Sequence, residues 1–431
     1  MSVLSTAVLG ARQRLRVDVV PRASTSLAVS AGSVVSLAPS LLPRTPAVQG
    51  VLTGILVSVL WGLTTLVRRH TPAAGSGTRT VAAAASAVLL VGSVASADHW
   101  QNSLRAAMTL PGTDAAYWVQ TGCWAAAVCL AGFVAARATV AGARRPGWRG
   151  ATVLGVVFTT LCWFVVPAST AAAAQHFRST NVEGERFLAG TSDPRAVRTY
   201  AGLDTAPDVT GRAALAVREL DRAGGFARGH VVVAVPTGSG WIDGEAARGL
   251  ERRFDGDVAI VGQQYSYAPS WVTFLFDRGD AAESARALFS AVSAHIAALP
   301  AEARPALHVY GQSLGSVGGS AIFENPAATD ATCSALWAGP PAGVVDTDGA
   351  VVLANSSDPV VWWSPALLAR APDLSRVRVD APVPHWIPFV SFVQTTVDLV
   401  FARDTPTGHG HRYGADQGLR MPGCGSAAET R

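Results

Sequence analysis

The stretch Leu307-His308-Val309-Tyr310-Gly311-Gln312-Ser313-Leu314-Gly315-Ser316-Val317-Gly318-Gly319-Ser320 decides how this chain is read. Its opening is apolar and β-branched or aromatic, as a short buried strand requires, and its close is a run of small residues that suits a tightly packed helix. Between them, Gly311-Gln312-Ser313-Leu314-Gly315 places one serine on a sharp strand-to-helix turn. A serine held there sits at a helix N-terminus, where backbone N–H groups favour a developing negative charge. G-x-S-x-G alone is common, and a glycine-rich packing turn is the competing reading, so the surrounding sequence has to decide.

Outward from this turn, strand and helix patterns alternate. Helical spacing at Ala213–Ala223 precedes a strand at His230–Pro236, and a loop-to-helix passage runs from Gly240 to Arg252. A strand at Asp257–Gly262 follows, then a long helix at Asp280–Leu299 closed by Pro300. The strand Ala306–Tyr310 feeds the Ser313 turn and a helix from about Leu314 to Phe323, and two more strands are expected at Ala335–Ala338 and Ala350–Ala354. Strands separated by helices predict a mostly parallel α/β sheet over residues 205–431. Residues 176–204 are polar and irregular and read as a linker and lead-in.

Serine is a weak nucleophile and needs a base that is itself oriented by an acid. On a sheet of this kind the partners follow in the order serine, acid, histidine. Asp358, in Asn355-Ser356-Ser357-Asp358-Pro359 after the last strand, is the first candidate acid, and Asp398, in an apolar run, is the alternative. Gly408-His409-Gly410-His411 supplies the candidate base: His411 is preferred and His409 is the alternative, with His385 a distant third. His308, on the strand feeding the turn, reads as a core residue. The N–H of Leu314 is one oxyanion donor by position, and the second is expected from Gly238 or Ser239 in Pro236-Thr237-Gly238-Ser239-Gly240-Trp241. Six tryptophans (Trp241, Trp271, Trp337, Trp362, Trp363 and Trp386) read mainly as core, with lining of an apolar cleft or contact with a lipid interface as further uses.

The first 175 residues have a different character. The runs Val48–Val67, Thr80–Ala97, Tyr117–Ala136 and Ala151–Ala171 are each apolar over about the 20 residues a bilayer requires. Ser24–Leu42 is a weaker fifth, serine-rich and interrupted by Pro39, and a short, kinked or re-entrant helix there is the other reading. An all-α transmembrane domain of about five helices is therefore expected. No compact apolar core with a small-residue cleavage site marks a signal peptide at the start. Arginines gather at the N-terminus (Arg12, Arg14, Arg16, Arg22) and in two joints (Arg68, Arg69, Arg79; and Arg137, Arg144, Arg145, Arg149), whereas Asp98–Ala116 has only Arg105. With arginine-rich segments cytoplasmic, five spans put everything after Ala171 outside the cytoplasm.

The overall charge of +4 conceals this division. Residues 1–177 hold 13 arginines against Asp18, Asp98 and Asp114, while residues 178–431 hold 21 against 27 acidic groups. The excess lies in loops between apolar runs and not on a folded basic face, which argues against nucleic-acid binding. All 34 basic residues are arginine, a pattern of GC-rich bacterial coding. Cys333 and Cys424 are the only cysteines of the second half; whether they pair is left open, as is the oligomeric state. No Cys/His cluster has zinc spacing, so neither metal nor cofactor is expected.

Taken together, Ser36-Leu37-Ala38-Pro39-Ser40-Leu41-Leu42-Pro43-Arg44, Tyr265-Ser266-Tyr267-Ala268-Pro269-Ser270-Trp271, the Ser313 turn and Gly408-His409-Gly410-His411-Arg412-Tyr413-Gly414 resemble the actinobacterial membrane α/β-hydrolases called alpha/beta-hydrolase family 9, which carry their own N-terminal membrane domain. The resemblance implies an α/β-hydrolase fold, a serine hydrolase and a cell-membrane location. The leading expectation is an esterase acting on a lipid or on an acyl or aminoacyl ester of the cell envelope, with the bilayer as partner. The alternatives are an acyltransferase using the same residues and a non-catalytic envelope scaffold.

Overall fold

The computed structural model describes residues 21–67, 75–143, 182–268 and 278–424. The chain divides into two compact units, the first built from the N-terminal helices and the second from the α/β half together with two short segments, Ser40–Pro43 and Leu104–Leu110.

In the first unit the described helices are α1 (Ala23–Ser36), α2 (Pro46–Val67), α3 (Ser76–Ala107) and α4 (Ala115–Ala143). Among the described residues, three segments are long and apolar enough to cross a membrane: Pro46–Thr65, Ser76–Ala107 and Ala115–Arg137. These coincide with the first three strong runs. The second is longer than its apolar stretch, since nothing between Asp98 and Ala107 breaks a helix before Pro111. Asp98 instead ties α3 to the loop after it and to the start of α4, accepting from Thr113 Oγ1 at 2.6 Å and from Trp118 Nε1 at 2.7 Å. The weak fifth run takes the short-helix form that is its other reading. Its helix α1 has 14 residues, about 21 Å at the usual rise and short of a bilayer core of about 30 Å. Ala151–Ala171 lies outside the described residues.

The second unit continues with α5 (Val182–Ala189), β1 (Val197–Ala201), α6 (Val209–Arg222), β2 (His230–Val235), α7 (Gly244–Arg253), β3 (Val258–Gln263), α8 (Arg278–Ala298) and β4 (Ala306–Gln312). It closes with α9 (Leu314–Ser320), α10 (Pro326–Ala331), β5 (Ser334–Ala338), β6 (Ala350–Leu353), α11 (Pro359–Trp362), α12 (Val390–Leu399) and α13 (Asp416–Leu419). The six strands form one sheet in the order β1-β3-β2-β4-β5-β6, and every neighbouring pair is parallel. Parallel strands must be covered on both faces. Alternate residues of β2 accordingly enter two cores: Val231, Val233 and Val235 pack with Leu220, Leu288 and Val292, whereas Val232 and Ala234 pack with Leu250, Tyr310 and Tyr413. Strand order reverses between β2 and β4, and such a switch point opens a crevice at the carboxyl ends of the strands.

Strand β1 and helix α5 fall within the stretch read as an irregular lead-in. A short strand with Arg198 at its second position offers little apolar signal. The arginine is nevertheless buried, donating from Nε to Glu251 Oε1 of α7 at 2.7 Å and from Nη1 to the Phe187 carbonyl at 2.8 Å. Burial lowers its pKa against the pull of Glu251. Ser192 bonds the other oxygen of Glu251 through both its N–H and its hydroxyl. A partner 53 residues away cannot be read from local pattern.

At the opposite end of the sheet from the Ser313 turn, His308 is fully buried, with Nδ1 2.7 Å from Ser334 Oγ and Nε2 3.0 Å from His230 Nδ1. Next to it, Cys333 and Cys424 are joined by a disulfide, and Ser334 Oγ donates to the Pro422 carbonyl at 2.9 Å. The C-terminal segment is thereby fastened under the amino ends of the strands. Burial, with His230 and Arg253 nearby, pushes the His308 pKa from the ordinary 6.5 down to about 3. The native state then binds fewer protons than the unfolded chain between these values. The stability this histidine contributes is present above pH 6.5 and is lost as pH falls toward about 3. The thermal unfolding midpoint should fall over that window, and His308→Gln should flatten the fall. Equal pH slopes in both proteins would contradict the assignment.

Candidate active site

The parallel sheet sends the chain out of β2, β4, β5 and β6 at the same edge, and the candidate residues emerge there. After β4, Ser313 adopts φ 54° and ψ −124°, a conformation costly for a non-glycine residue. Its N–H donates to the Ala338 carbonyl at the end of β5 at 2.9 Å, and its side chain is partly exposed. The flanking glycines are required by space: a Cβ on Gly311 would lie 2.4 Å from the Gly315 carbonyl, and one on Gly315 would lie 2.2 Å from the Val235 carbonyl. The second contact presses the start of α9 against the end of β2, beside the Pro236–Trp241 turn.

That turn is held from three sides. Its own hydrogen bonds use Thr237 N–H, to the Trp241 carbonyl at 3.0 Å, and Gly240 N–H, to the Thr237 carbonyl at 2.8 Å. The N–H groups of Gly238 and Ser239 are not used by the turn. Tyr265 Oη donates to the Pro236 carbonyl, Tyr200 Oη to the Gly240 carbonyl and Gln264 Nε2 to the Ser239 carbonyl, at 3.2, 2.7 and 3.3 Å. Burial drives both tyrosine pKa values up, so both hydroxyls keep the proton they donate. Sequence reasoning assigned these three residues no part. Tyr265 opens one of the stretches that carried the family resemblance, and that was the available signal.

Asp358 follows β6 and is completely buried. It caps α11, with Val360 N–H donating to Oδ1 at 2.8 Å. Its Oδ2 faces His411 Nδ1 at 2.6 Å and accepts from Tyr413 Oη at 2.5 Å. All three partners donate, which suits a carboxylate and assigns the Nδ1 proton to His411. Burial and the adjacent Asp358 raise the Tyr413 pKa well above 10, so its hydroxyl remains a donor. The His411 ring lies against the end of β5, where a Cβ on Gly339 would meet His411 Cε1 at 2.7 Å and Asp358 Oδ2 at 2.8 Å. Ser313 bonds Ala338, and His411 rests on Gly339. The two therefore meet the same step of the chain.

The alternatives lie elsewhere. His409 Nδ1 pairs with Asp380 Oδ2 at 2.9 Å. Asp398, on α12, is buried and its Oδ2 accepts the Leu41 N–H at 2.8 Å. Of the tryptophans, Trp337 and Trp362 are core residues with bonded indoles, Trp386 donates to the Leu367 carbonyl and Trp363 to Thr396 Oγ1. Trp241 lies under the Arg403 guanidinium at 4.2 Å, and Trp271 is outside the described residues. No group of three or more His, Cys, Asp or Glu side chains that could hold a metal occurs among the described residues.

Because Gly339 has φ +53° and no room for a side chain, Gly339→Ala should part Asp358 from His411. The strained backbone alone costs about 1–3 kcal/mol. A melting temperature equal to that of the wild type would place the imidazole elsewhere.

No curated protein and no solved structure matches this chain. The alpha/beta-hydrolase family is matched by residues 197–348 and 346–420, and the N-terminus of that family by residues 37–194. The first match begins at the edge strand β1 and runs through the Ser313 turn, Asp358 and His411, and on these grounds the chain belongs to alpha/beta-hydrolase family 9.

Proposed function

We propose that the protein is a membrane-anchored serine hydrolase that cleaves an ester by a Ser313–His411–Asp358 triad through an acyl-enzyme. The supporting observation is the buried Asp358–His411 hydrogen bond of 2.6 Å, resting on Gly339, the residue after the Ala338 carbonyl that accepts the N–H of Ser313 on its strained strand-to-helix turn. With its Nδ1–H donating a hydrogen bond to Asp358, His411 keeps that proton and presents an unprotonated Nε2. The Ser313 hydroxyl proton passes to that nitrogen as Oγ attacks the carbonyl carbon. The oxyanion accepts from Leu314 N–H and from Gly238 or Ser239 N–H. As the tetrahedral intermediate collapses, the alkoxide leaves with the proton from His411, and the acyl group remains on Ser313. Water then repeats the sequence, giving its proton to His411 and releasing the carboxylic acid as Ser313 recovers its own.

The substrate reading is a lipid or cell-envelope acyl or aminoacyl ester, supported by the three apolar helices carried in the same chain. A site tethered near lipid meets amphiphilic esters at high effective concentration. An extracytoplasmic placement of the α/β half is supported by the Cys333–Cys424 disulfide, a bond typical of oxidising compartments. The arginine-rich joints at Arg68–Arg79 and Arg137–Arg149 support the same orientation. With α1 too short to span, Arg12, Arg14, Arg16 and Arg22 fall on the same side as the α/β half, which counts against this orientation, so the disulfide and the two joints alone support it.

The test is fluorophosphonate labelling of membranes holding the wild type or Ser313→Ala. The expected result is labelled wild type and an unlabelled variant. A folded wild type that does not label sinks the hydrolase reading, and labelling of both moves the nucleophile to another residue.

A further inference from the structure

The Asp358–His411 bond joins two loops separated by 53 residues, and one hydrogen bond does not fix the orientation of an imidazole. Productive geometry tolerates only about half an ångström of error. A second set of contacts runs parallel to it. Ser357, one residue before Asp358, accepts the N–H of Gly410, one residue before His411, on its hydroxyl oxygen at 2.7 Å. The same hydroxyl donates to Asp380 Oδ2 at 2.5 Å. Asp380 has a side chain only 4% exposed. Its Oδ1 accepts from Ser357 N–H and from Ser356 Oγ, both at 3.0 Å, and its Oδ2 also faces His409 Nδ1 at 2.9 Å. One buried carboxylate therefore grips the residues before Asp358 on one side and the residue two before His411 on the other.

We propose that Ser357 and Asp380 are positioning residues, forming a latch that holds the Asp358 loop and the His411 loop in register. This rests on the serine-hydrolase reading above. The latch is chemically specific. Ser357 Oγ is filled as donor and acceptor at once, so an alanine there removes both links while leaving Asp358, His411 and Tyr413 untouched. Asp380 must accept from every partner, so an asparagine turns one accepting oxygen into a donating nitrogen that opposes the Ser357 hydroxyl and His409. Neither residue bonds Ser313, so the latch acts through the relative placement of acid and base. Misplacement by about an ångström at such a site costs on the order of 100-fold in rate.

The experiment compares full-length wild type, Ser357→Ala and Asp380→Asn in detergent, with p-nitrophenyl butyrate as the ester and a fluorophosphonate as the covalent probe. For both variants kcat is expected to fall by roughly 10- to 100-fold, with KM within about twofold and the fluorophosphonate rate falling by the same factor as kcat. The melting temperature should stay within a few degrees of wild type for Ser357→Ala, which decides the matter if Asp380→Asn does not fold. A folded Ser357→Ala with wild-type kcat overturns the latch. So does a variant whose activity is lost only in step with its melting temperature, since packing alone would explain it. A wild type that neither turns over the ester nor labels removes the underlying hydrolase reading and the latch with it, and is told apart because the failure is in the parent protein.

Discussion

Everything at the candidate site depends on the hydrogen bond between Asp358 Oδ2 and His411 Nδ1. It is 2.6 Å long and closed to water, with the aspartate fully buried and the histidine side chain 8% exposed. A buried carboxylate is costly unless its oxygens are satisfied by donors, and here Val360 N–H, His411 and Tyr413 satisfy them. Remove any of them and the remaining partners must carry a poorly solvated acid. The same crowding explains why Gly339, at the end of β5, has no side chain. The bond also selects the tautomer that leaves the other ring nitrogen free to take a proton, so its geometry bears directly on chemistry.

The sheet makes that bond possible. With all six strands parallel, the segments after β2, β4, β5 and β6 leave at one edge, and residues far apart in sequence arrive there together. Reversal of strand order between β2 and β4 sets the Pro236–Trp241 turn and the Ser313 turn side by side at the ends of adjacent strands. Tyr200, Gln264 and Tyr265 brace the first of these, and the second is braced by Ser313 N–H on Ala338. The amino ends of the strands carry fastening only: the His230–His308–Ser334 chain and the Cys333–Cys424 disulfide.

Much of this was legible in the sequence where the signal is local. The Ser313 turn is a strand, two glycines and a small-residue helix in unbroken succession, so pattern alone places it. Strands β2 to β6 lie within a residue or two of their expected bounds, because short apolar runs mark strands covered on both faces. Strand β1 was missed because Arg198 breaks its apolar run and the compensating Glu251 is remote. Pattern favours His411 only slightly over His409, since both sit in one glycine loop two residues apart. The structure separates them by partner: His411 meets Asp358 and His409 meets Asp380, a residue with no local mark at all. In the N-terminal half, three of the four strong apolar runs fall on described helices long and apolar enough to cross a membrane, whereas the helix within Ser24–Leu42 has only 14 residues.

The central claim is that His411, oriented by Asp358, activates Ser313. Its most direct measurement is the second-order rate of fluorophosphonate inactivation in wild type, His411→Gln and Asp358→Asn, each checked for folding. General-base assistance contributes about 100- to 10,000-fold, so both variants should react at least about 100-fold more slowly than wild type. Rates equal to the wild type in folded variants would contradict the account, because Ser313 would then owe its reactivity to neither residue.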